Sequence, residues 1–127
     1  MAENKQYITQ EQENGAVMIS EDVIVSIVNL AVSEVEGIAG LSTKPVSDIV
    51  DMIGKKNWSK GLKVVINEDD TINVDCYVNI KYGQSVVDVA KAAQEAIISA
   101  LDSMTGIQAT AVNVNVCGIV KSFINKE

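Results

Sequence analysis

Histidine is absent from this sequence of 127 residues, and cysteine, proline and aromatic residues are scarce. Without histidine the chain lacks the side chain that most often serves as a general base or a metal ligand. Its two cysteines, Cys76 and Cys117, are too few and too far apart in sequence to build a zinc site. These absences predict no catalytic residues, no metal and no cofactor. They leave open only an enzyme that works with carboxylates or lysines.

Positive charge is also in short supply, because 10 basic residues face 17 acidic ones and the formal net charge is −7. Nucleic acid is therefore an unfavoured partner, since affinity for it depends on cationic contacts with phosphate. The first residues lack the apolar core of a signal peptide, and no run approaches the ~18 apolar residues of a membrane span. The sequence predicts a cytoplasmic protein without a transmembrane segment, which comes near a membrane only at its surface or through a partner.

The longest regular pattern, in residues 85–104, is typical of an amphipathic helix. Its apolar side chains recur every three or four residues and share one face. Ser85 has the residue type of an N-cap, and Gly106 follows where a left-handed C-cap would end the helix. The apolar positions are Val86, Val89, Ala90, Ala93, Ile97, Ala100, Leu101 and Met104.

Strict alternation of apolar and polar residues flanks this helix on both sides. It occurs in residues 71–81 and 111–116, and it predicts two strands that each have one buried and one wet face. Residues 62–66 alternate in the same way. The turn chemistry of residues 67–70 predicts an antiparallel hairpin between the 62–66 strand and the 71–81 strand.

The amino-terminal half is less regular. Residues 1–14 indicate a flexible, solvated tail, with a short ordered piece at residues 7–9 as the alternative, and residues 15–19 indicate a short strand. A helix is predicted from Ser20 to Gly37, an extended segment at 38–43 and a short helix at 46–53. With a second tail at 121–127, the single domain spans residues 15–120. We predict an α+β fold, a two-layer sandwich with a mixed sheet and helices packed on one face; the strand order is left open.

Two surfaces are candidates for binding a partner. The outward positions of the alternating strands are rich in asparagine, and Tyr77, Asn79, Asn113 and Asn115 indicate an open polar sheet face. That face is either simply solvated or a site for another copy or another protein, and an unpaired sheet edge could extend by strand addition. The second candidate is a locally basic stretch that holds the only tryptophan. It consists of Lys55, Lys56, Trp58, Lys60 and Lys63.

The basic stretch has two interpretations. Tryptophan and lysine together favour a membrane interface or an acidic partner, which gives direct binding of anionic lipid or nucleic acid as an alternative function. In the other interpretation Trp58 folds back on the core and the lysines are merely solvated. Two further motifs are weak. The G-x-x-G spacing of residues 37–40 resembles a nucleic-acid clamp but suits a helix end, and the acidic run 68–70 suits a turn better than a cation site.

Several ordered motifs together resemble the alkaline shock protein family of Gram-positive bacteria, whose members are also described as envelope stress response proteins. The resemblance covers roughly residues 15–120. It is carried by GAVMIS at 15–20, VEGI at 35–38, VDCYVNIKYG at 74–83, MTGI at 104–107 and VNVNVCGI at 112–119.

This resemblance implies a small, non-enzymatic cytoplasmic protein that helps to maintain the cell envelope under stress. It implies a protein partner, with a membrane-anchored family member or a second copy of the chain as the alternatives. No catalytic residue is implied, and the stress-type members and the housekeeping paralogues of the family remain equal alternatives.

Overall fold

The computed structural model describes residues 7–41 and 61–121. Within them six strands and two helices follow one another along the chain. They are β1 (Tyr7–Gln12), β2 (Gly15–Ser20), α1 (Glu21–Ser33), β3 (Ile38–Leu41), β4 (Leu62–Ile66), β5 (Ile72–Lys81), α2 (Val86–Thr105) and β6 (Ala109–Val120). The short helix predicted at 46–53, and all of the predicted tail at 121–127 except Lys121, lie outside the described residues.

Strand β5 is the centre of a mixed four-stranded sheet. β4 pairs antiparallel with residues 72–76 of β5, and β3 pairs antiparallel with residues 78–80. These two short strands therefore occupy successive halves of the same edge of β5. β6 pairs parallel with the other edge over residues 72–81. The predicted hairpin of β4 with β5 is confirmed.

The two helices cover one face of this sheet, which confirms the predicted two-layer α+β fold. The core-facing side chains of β5 are all fully buried, as the strict alternation of the sequence requires. They are Ile72, Val74, Cys76, Val78 and Ile80. The inner face of α2 adds Val89, Ala93, Ile97 and Leu101 to the same core. The small side chain of Ala93 lets the helix lie close to the sheet.

Helix α2 begins and ends where the sequence predicts. The hydroxyl of Ser85 accepts a hydrogen bond from the N–H of Asp88 at 3.4 Å. At the other end Gly106 adopts a left-handed conformation with φ 76°, and its N–H donates to the carbonyls of Leu101 and Asp102. Among the described helices, none is long and apolar enough to cross a membrane.

Helix α1 starts after the predicted N-cap Ser20 but ends earlier than predicted. Its last helical residue is Ser33, whereas the prediction extends to Gly37. The N–H of Val35 bonds to the carbonyl of Val32, so the chain tightens into a three-residue turn. Beyond this turn the carbonyl of Gly37 accepts a hydrogen bond from the N–H of Lys81 at the end of β5, so the chain enters β3 instead of continuing the helix.

The prediction of a solvated tail up to residue 14 is wrong for residues 7–12, which form β1. This strand pairs antiparallel with β2 along its whole length. Ile8 is buried in the core, and the side-chain amide of Gln10 donates to the carbonyl of Thr105 at 2.8 Å. The sequence conceals the strand because only one of its apolar side chains is buried, while β2 supplies the backbone partners.

Candidate functional site

No described helix or strand covers the face of the sheet opposite the helices, and we call it the polar face. It gathers polar side chains that point outward from three strands, beside the apolar Val65 of β4: Lys63, Asn73, Asp75, Tyr77, Asn79, Asn113 and Asn115. The four residues that the sequence singled out come together here. Tyr77 lies directly opposite Asn115 in the pairing of β5 with β6, and Asp75 lies opposite Asn113. Tyr77 and Asn79 are half-buried, whereas the two β6 asparagines are exposed.

Hydrogen bonds hold the asparagines of β6 against β5. The side-chain amide of Asn113 donates to Oδ1 of Asp75 at 2.8 Å. The amide of Asn115 donates to the backbone carbonyl of Cys76 at 3.2 Å. Side chains fixed in this way lose little conformational entropy when a partner binds over them.

A β-bulge shapes one end of the polar face. The pairing register of β5 with β6 shifts between Val78 and Asn79, where β6 contains one extra residue. After the shift, Gly118 lies opposite Asn79. A side chain at Gly118 would place its Cβ only 3.0 Å from Oδ1 of Asn79, so glycine makes room for that amide. The alternating pattern of the sequence does not reveal this bulge.

The two cysteines differ in their surroundings. Burial, and secondarily the neighbouring carboxylate of Asp75, raises the pKa of the Cys76 thiol to about 12. Cys76 therefore stays protonated near neutral pH, and a protonated thiol is neither a nucleophile nor a metal ligand. Cys117 is exposed beside the bulge. In the described residues no three His, Cys, Asp or Glu side chains come together as a metal-binding group.

The basic candidate stretch is divided by the structure. Lys55, Lys56, Trp58 and Lys60 lie outside the described residues. Lys63 belongs to β4, where it lies directly opposite Asp75 on the polar face. Lys63 is thus placed beside a carboxylate, which partly offsets its charge.

The structure shows where the two weak motifs, the G-x-x-G spacing and the acidic run, lie in the fold. Gly37, with φ 100°, lies in the turn after α1, and Gly40 lies inside β3. In the acidic turn, the carboxylate of Asp69 accepts hydrogen bonds from the N–H and the hydroxyl of Thr71, at 3.2 and 2.6 Å. Asp69 therefore stabilises the turn that joins β4 to β5.

A shallow groove between the outer faces of α1 and α2 was not predicted from the sequence. Its volume is about 470 Å³, and its rim carries two exposed apolar side chains, Leu30 and Met104, at 62% and 68% exposure. Its floor is made of small residues, including Ala31, Ala96 and Ala100. The alanines of α2 were the available signal, but only the packing of the two helices shows that they form a groove.

Comparison with known proteins identifies a family whose members resemble this chain in sequence. Residues 9–121 match the alkaline shock protein 23 family, described as having a cell envelope-related function. The uncharacterized protein YqhY of Bacillus subtilis is 36% identical over 105 residues, which cover 83% of this chain and 77% of YqhY. The uncharacterized protein Spy1614 of Streptococcus pyogenes is 33% identical over 109 residues, covering 84% of this chain and 89% of that protein.

Solved structures of similar fold are much more distant in sequence. A variant of MamM CTD superposes with a TM-score of 0.55 at 12% identity, covering 84% of this chain and 98% of that one. A copper form of MamM CTD gives a TM-score of 0.50 at 13% identity, covering 84% and 91%. These similarities support the fold alone. The match over residues 9–121 and the identity to the relatives show that this chain belongs to the alkaline shock protein family of cell envelope-related proteins, the family that its sequence motifs resemble.

Proposed function

We propose that this protein is a non-catalytic scaffold of the envelope stress response that works through protein–protein contacts on its polar face. It acts on the cytoplasmic side of the membrane, brought there by a membrane-anchored family member or by assembly with further copies of itself. The family's cell envelope-related function supports the setting. The single observation that carries the mode of action is the open sheet face of ordered amides around Tyr77.

The chemistry of this face suits a protein partner better than bulk solvent. Tyrosine is enriched in protein interfaces because its ring is apolar and its hydroxyl forms hydrogen bonds. Around Tyr77 lie the amides of Asn79, Asn113 and Asn115, which donate and accept hydrogen bonds without carrying charge. A face of this kind can bind a partner without desolvating an array of ions.

The proposal predicts that Tyr77→Ala weakens the capture of partner proteins from the host's detergent-solubilised membranes at least tenfold. Removing an interface tyrosine typically costs about 2 kcal/mol of binding free energy, and every 1.4 kcal/mol is a factor of about ten. The tagged protein and its variant are compared by quantitative mass spectrometry of the bound fraction. Leu30→Ala, on the exposed surface of α1, serves as the matched control and should capture the same proteins as the unaltered chain.

Binding to protein-free vesicles of phosphatidylglycerol distinguishes the scaffold function from direct binding of anionic lipid. If Lys55, Lys56, Trp58 and Lys60 bind anionic lipid directly, the chain binds these vesicles in a salt-sensitive way. The scaffold function predicts no such binding. Equal capture of the same membrane proteins by Tyr77→Ala and the unaltered chain would contradict the assignment of the polar face.

A further inference from the structure

Strand β6 forms a long outer edge of the sheet. Its 12 residues pair with β5 on one side only, and no described strand pairs with the other side. Ile72 of β5 donates its N–H to the carbonyl of Gln108, and Tyr82 donates to Val120. Val74 and Cys76, like Ile72, direct their N–H groups to β6, and after a register shift they lie opposite Val112 and Val114. In a parallel pair a residue bonds to the two neighbours of the residue opposite it, so residues 111, 113 and 115 bond to β5 and the N–H and C=O groups of Val112, Val114 and Val116 point outwards.

A hydrogen bond confirms this direction. The carbonyl of Val112 accepts a hydrogen bond from the side-chain amide of Gln94 in α2, at 2.9 Å, so it lies outside the β5–β6 ladder. A carbonyl oxygen has two lone pairs and can accept a second donor. The outer edge of β6 therefore presents a row of backbone donors and acceptors that pairs with no described strand.

Natural sheet edges normally carry devices that prevent pairing with another chain, such as a lysine, a proline or a bulge. β6 contains neither charge nor proline over residues 109–120. Its register shifts lie near its two ends, between the partners Ala109 and Ala111 and between Val116 and Gly118. The middle segment, residues 111–116, is therefore regular and unprotected. On the opposite edge of the sheet, by contrast, the short strand β4 carries Lys63.

The apolar layer also continues beyond this edge. Gln94 marks the side of α2 that faces β6, and residues 87, 91 and 98 share that side because they lie three, four or seven positions away. Ile98 and Val87 are 45% and 62% exposed, although helix residues one position away, such as Ile97, are fully buried. Ile119 of β6, on the same face of the sheet, is 50% exposed. A neighbouring copy would cover this apolar margin.

We infer that two copies of this chain pair antiparallel through the outer edges of β6, which joins their sheets into one and places all four helices on the same face. The occupant is a second copy because the groups of β6 itself are complementary to themselves, and Lys91 is the one charge that the adjoining side of α2 adds. Strand backbones pair with themselves, asparagine amides donate and accept, and the valines carry no charge. Two copies with a net charge of −7 repel each other, so the uncharged strand β6 is the part of the surface where they can pair.

Two conditions define the register of the β6 pair. First, core-facing residues must oppose core-facing residues, since a slip by one position would turn every side chain to the wrong face. Second, the register should use as many outward backbone groups as possible. Pairing that uses all three outward residues of both copies is centred on Val114, with Val112 opposite Val116 of the partner subunit. Asn113 then lies opposite Asn115 of the partner subunit, on the polar face. About six backbone hydrogen bonds form, two for each hydrogen-bonded pair.

The first test is the mass in solution, measured by light scattering after size exclusion over a concentration series of the full chain. We expect a species of twice the 13.6 kDa chain mass at high concentration. Val114→Pro removes an outward N–H and leaves the hydrogen bonds between β5 and β6 in place. Proline is tolerated at such a position in an edge strand. It should weaken association at least tenfold, while Val114→Thr, of similar shape and with its N–H intact, should associate as the unaltered chain does.

The second test fixes the register and stays informative even if Val114→Pro fails to fold. Asn113→Cys and Asn115→Cys are made separately in a Cys117→Ser background, mixed in equal amounts and oxidised with oxidised glutathione. Directly opposed residues of a non-hydrogen-bonded pair lie about 4.5 Å apart between Cα atoms, close enough for a disulfide. The mixed disulfide should exceed either self-disulfide by more than the twofold of random pairing.

A chain that stays monomeric at every concentration, or a mixed disulfide at the random share, overturns this inference. Normal association of a folded Val114→Pro variant overturns it as well. The inference deepens the proposed function by naming one partner, but the two fail separately. Tyr77 lies on β5, away from the edge, so partner capture through the polar face can hold for a monomer.

Discussion

Replacing Ile97 with alanine is expected to destabilise the protein by about 3–4 kcal/mol, because a large buried side chain is removed and the surroundings close only partly over the cavity. Ile97 is fully buried at the middle of the inner face of α2. The buried hydrophobic residues in the described part of the chain are aliphatic apart from Cys76, so none of them is a large aromatic ring that could fill the space. The change is measured as the free energy of unfolding in urea.

The neighbouring residue provides the matched control. Ile98→Ala is the same substitution in the same helix, one position along, but Ile98 is 45% exposed. We expect a cost of less than about 1 kcal/mol, since alanine's better helix propensity offsets part of the lost burial. Both variants are measured at a concentration low enough for the monomer. Equal costs at the two positions would contradict the packing of α2 on the sheet.

Gly37→Ala is expected to cost about 2–4 kcal/mol in two separate ways. Gly37 has φ 100°, a conformation that costs a residue with a side chain about 1–2 kcal/mol. The added Cβ would also lie 2.7 Å from Cγ2 of Val89, which is itself buried in α2, and relieving such an overlap costs about 1–2 kcal/mol more. Thermal or urea unfolding gives the sum of the two costs.

Gly83→Ala isolates the conformational part. Gly83 has a similar φ of 97°, but a Cβ there would meet nothing within 4 Å. We expect it to cost about 1–2 kcal/mol, the backbone strain alone. If Gly37→Ala were no more costly than Gly83→Ala, the close approach of the α1–β3 turn to α2 would be contradicted.

The sequence predicted those helices and strands whose formation depends on the chemistry of neighbouring residues in the chain. The alternation of β5 requires one buried face, and the spacing and caps of α2 define its length. The end of α1 and the existence of β1 could not be predicted in the same way, because they depend on partners distant in sequence. Gly37 is held by Lys81 of β5, and β1 by its pairing with β2 and by Gln10 against Thr105.

The polar face shows the same limit. Alternation indicated that Tyr77, Asn79, Asn113 and Asn115 point away from the core, and the parallel pairing of β5 with β6 brings them together. Periodicity does not predict the order of strands in a sheet. It therefore could not predict this pairing, the bulge next to Asn79 or the position of β6 at the edge of the sheet. The groove between α1 and α2 likewise depends on how two helices separated in sequence pack.

We propose that the polar face is the surface through which this protein contacts other proteins in the cell. Site-specific photocrosslinking in the native host tests it most directly, with benzoylphenylalanine placed at position 77 in one strain and at position 30, on the surface of α1, in another. We expect protein adducts from position 77 that increase under envelope stress and are missing from position 30. Adducts from position 30 alone, or none from position 77, would contradict it.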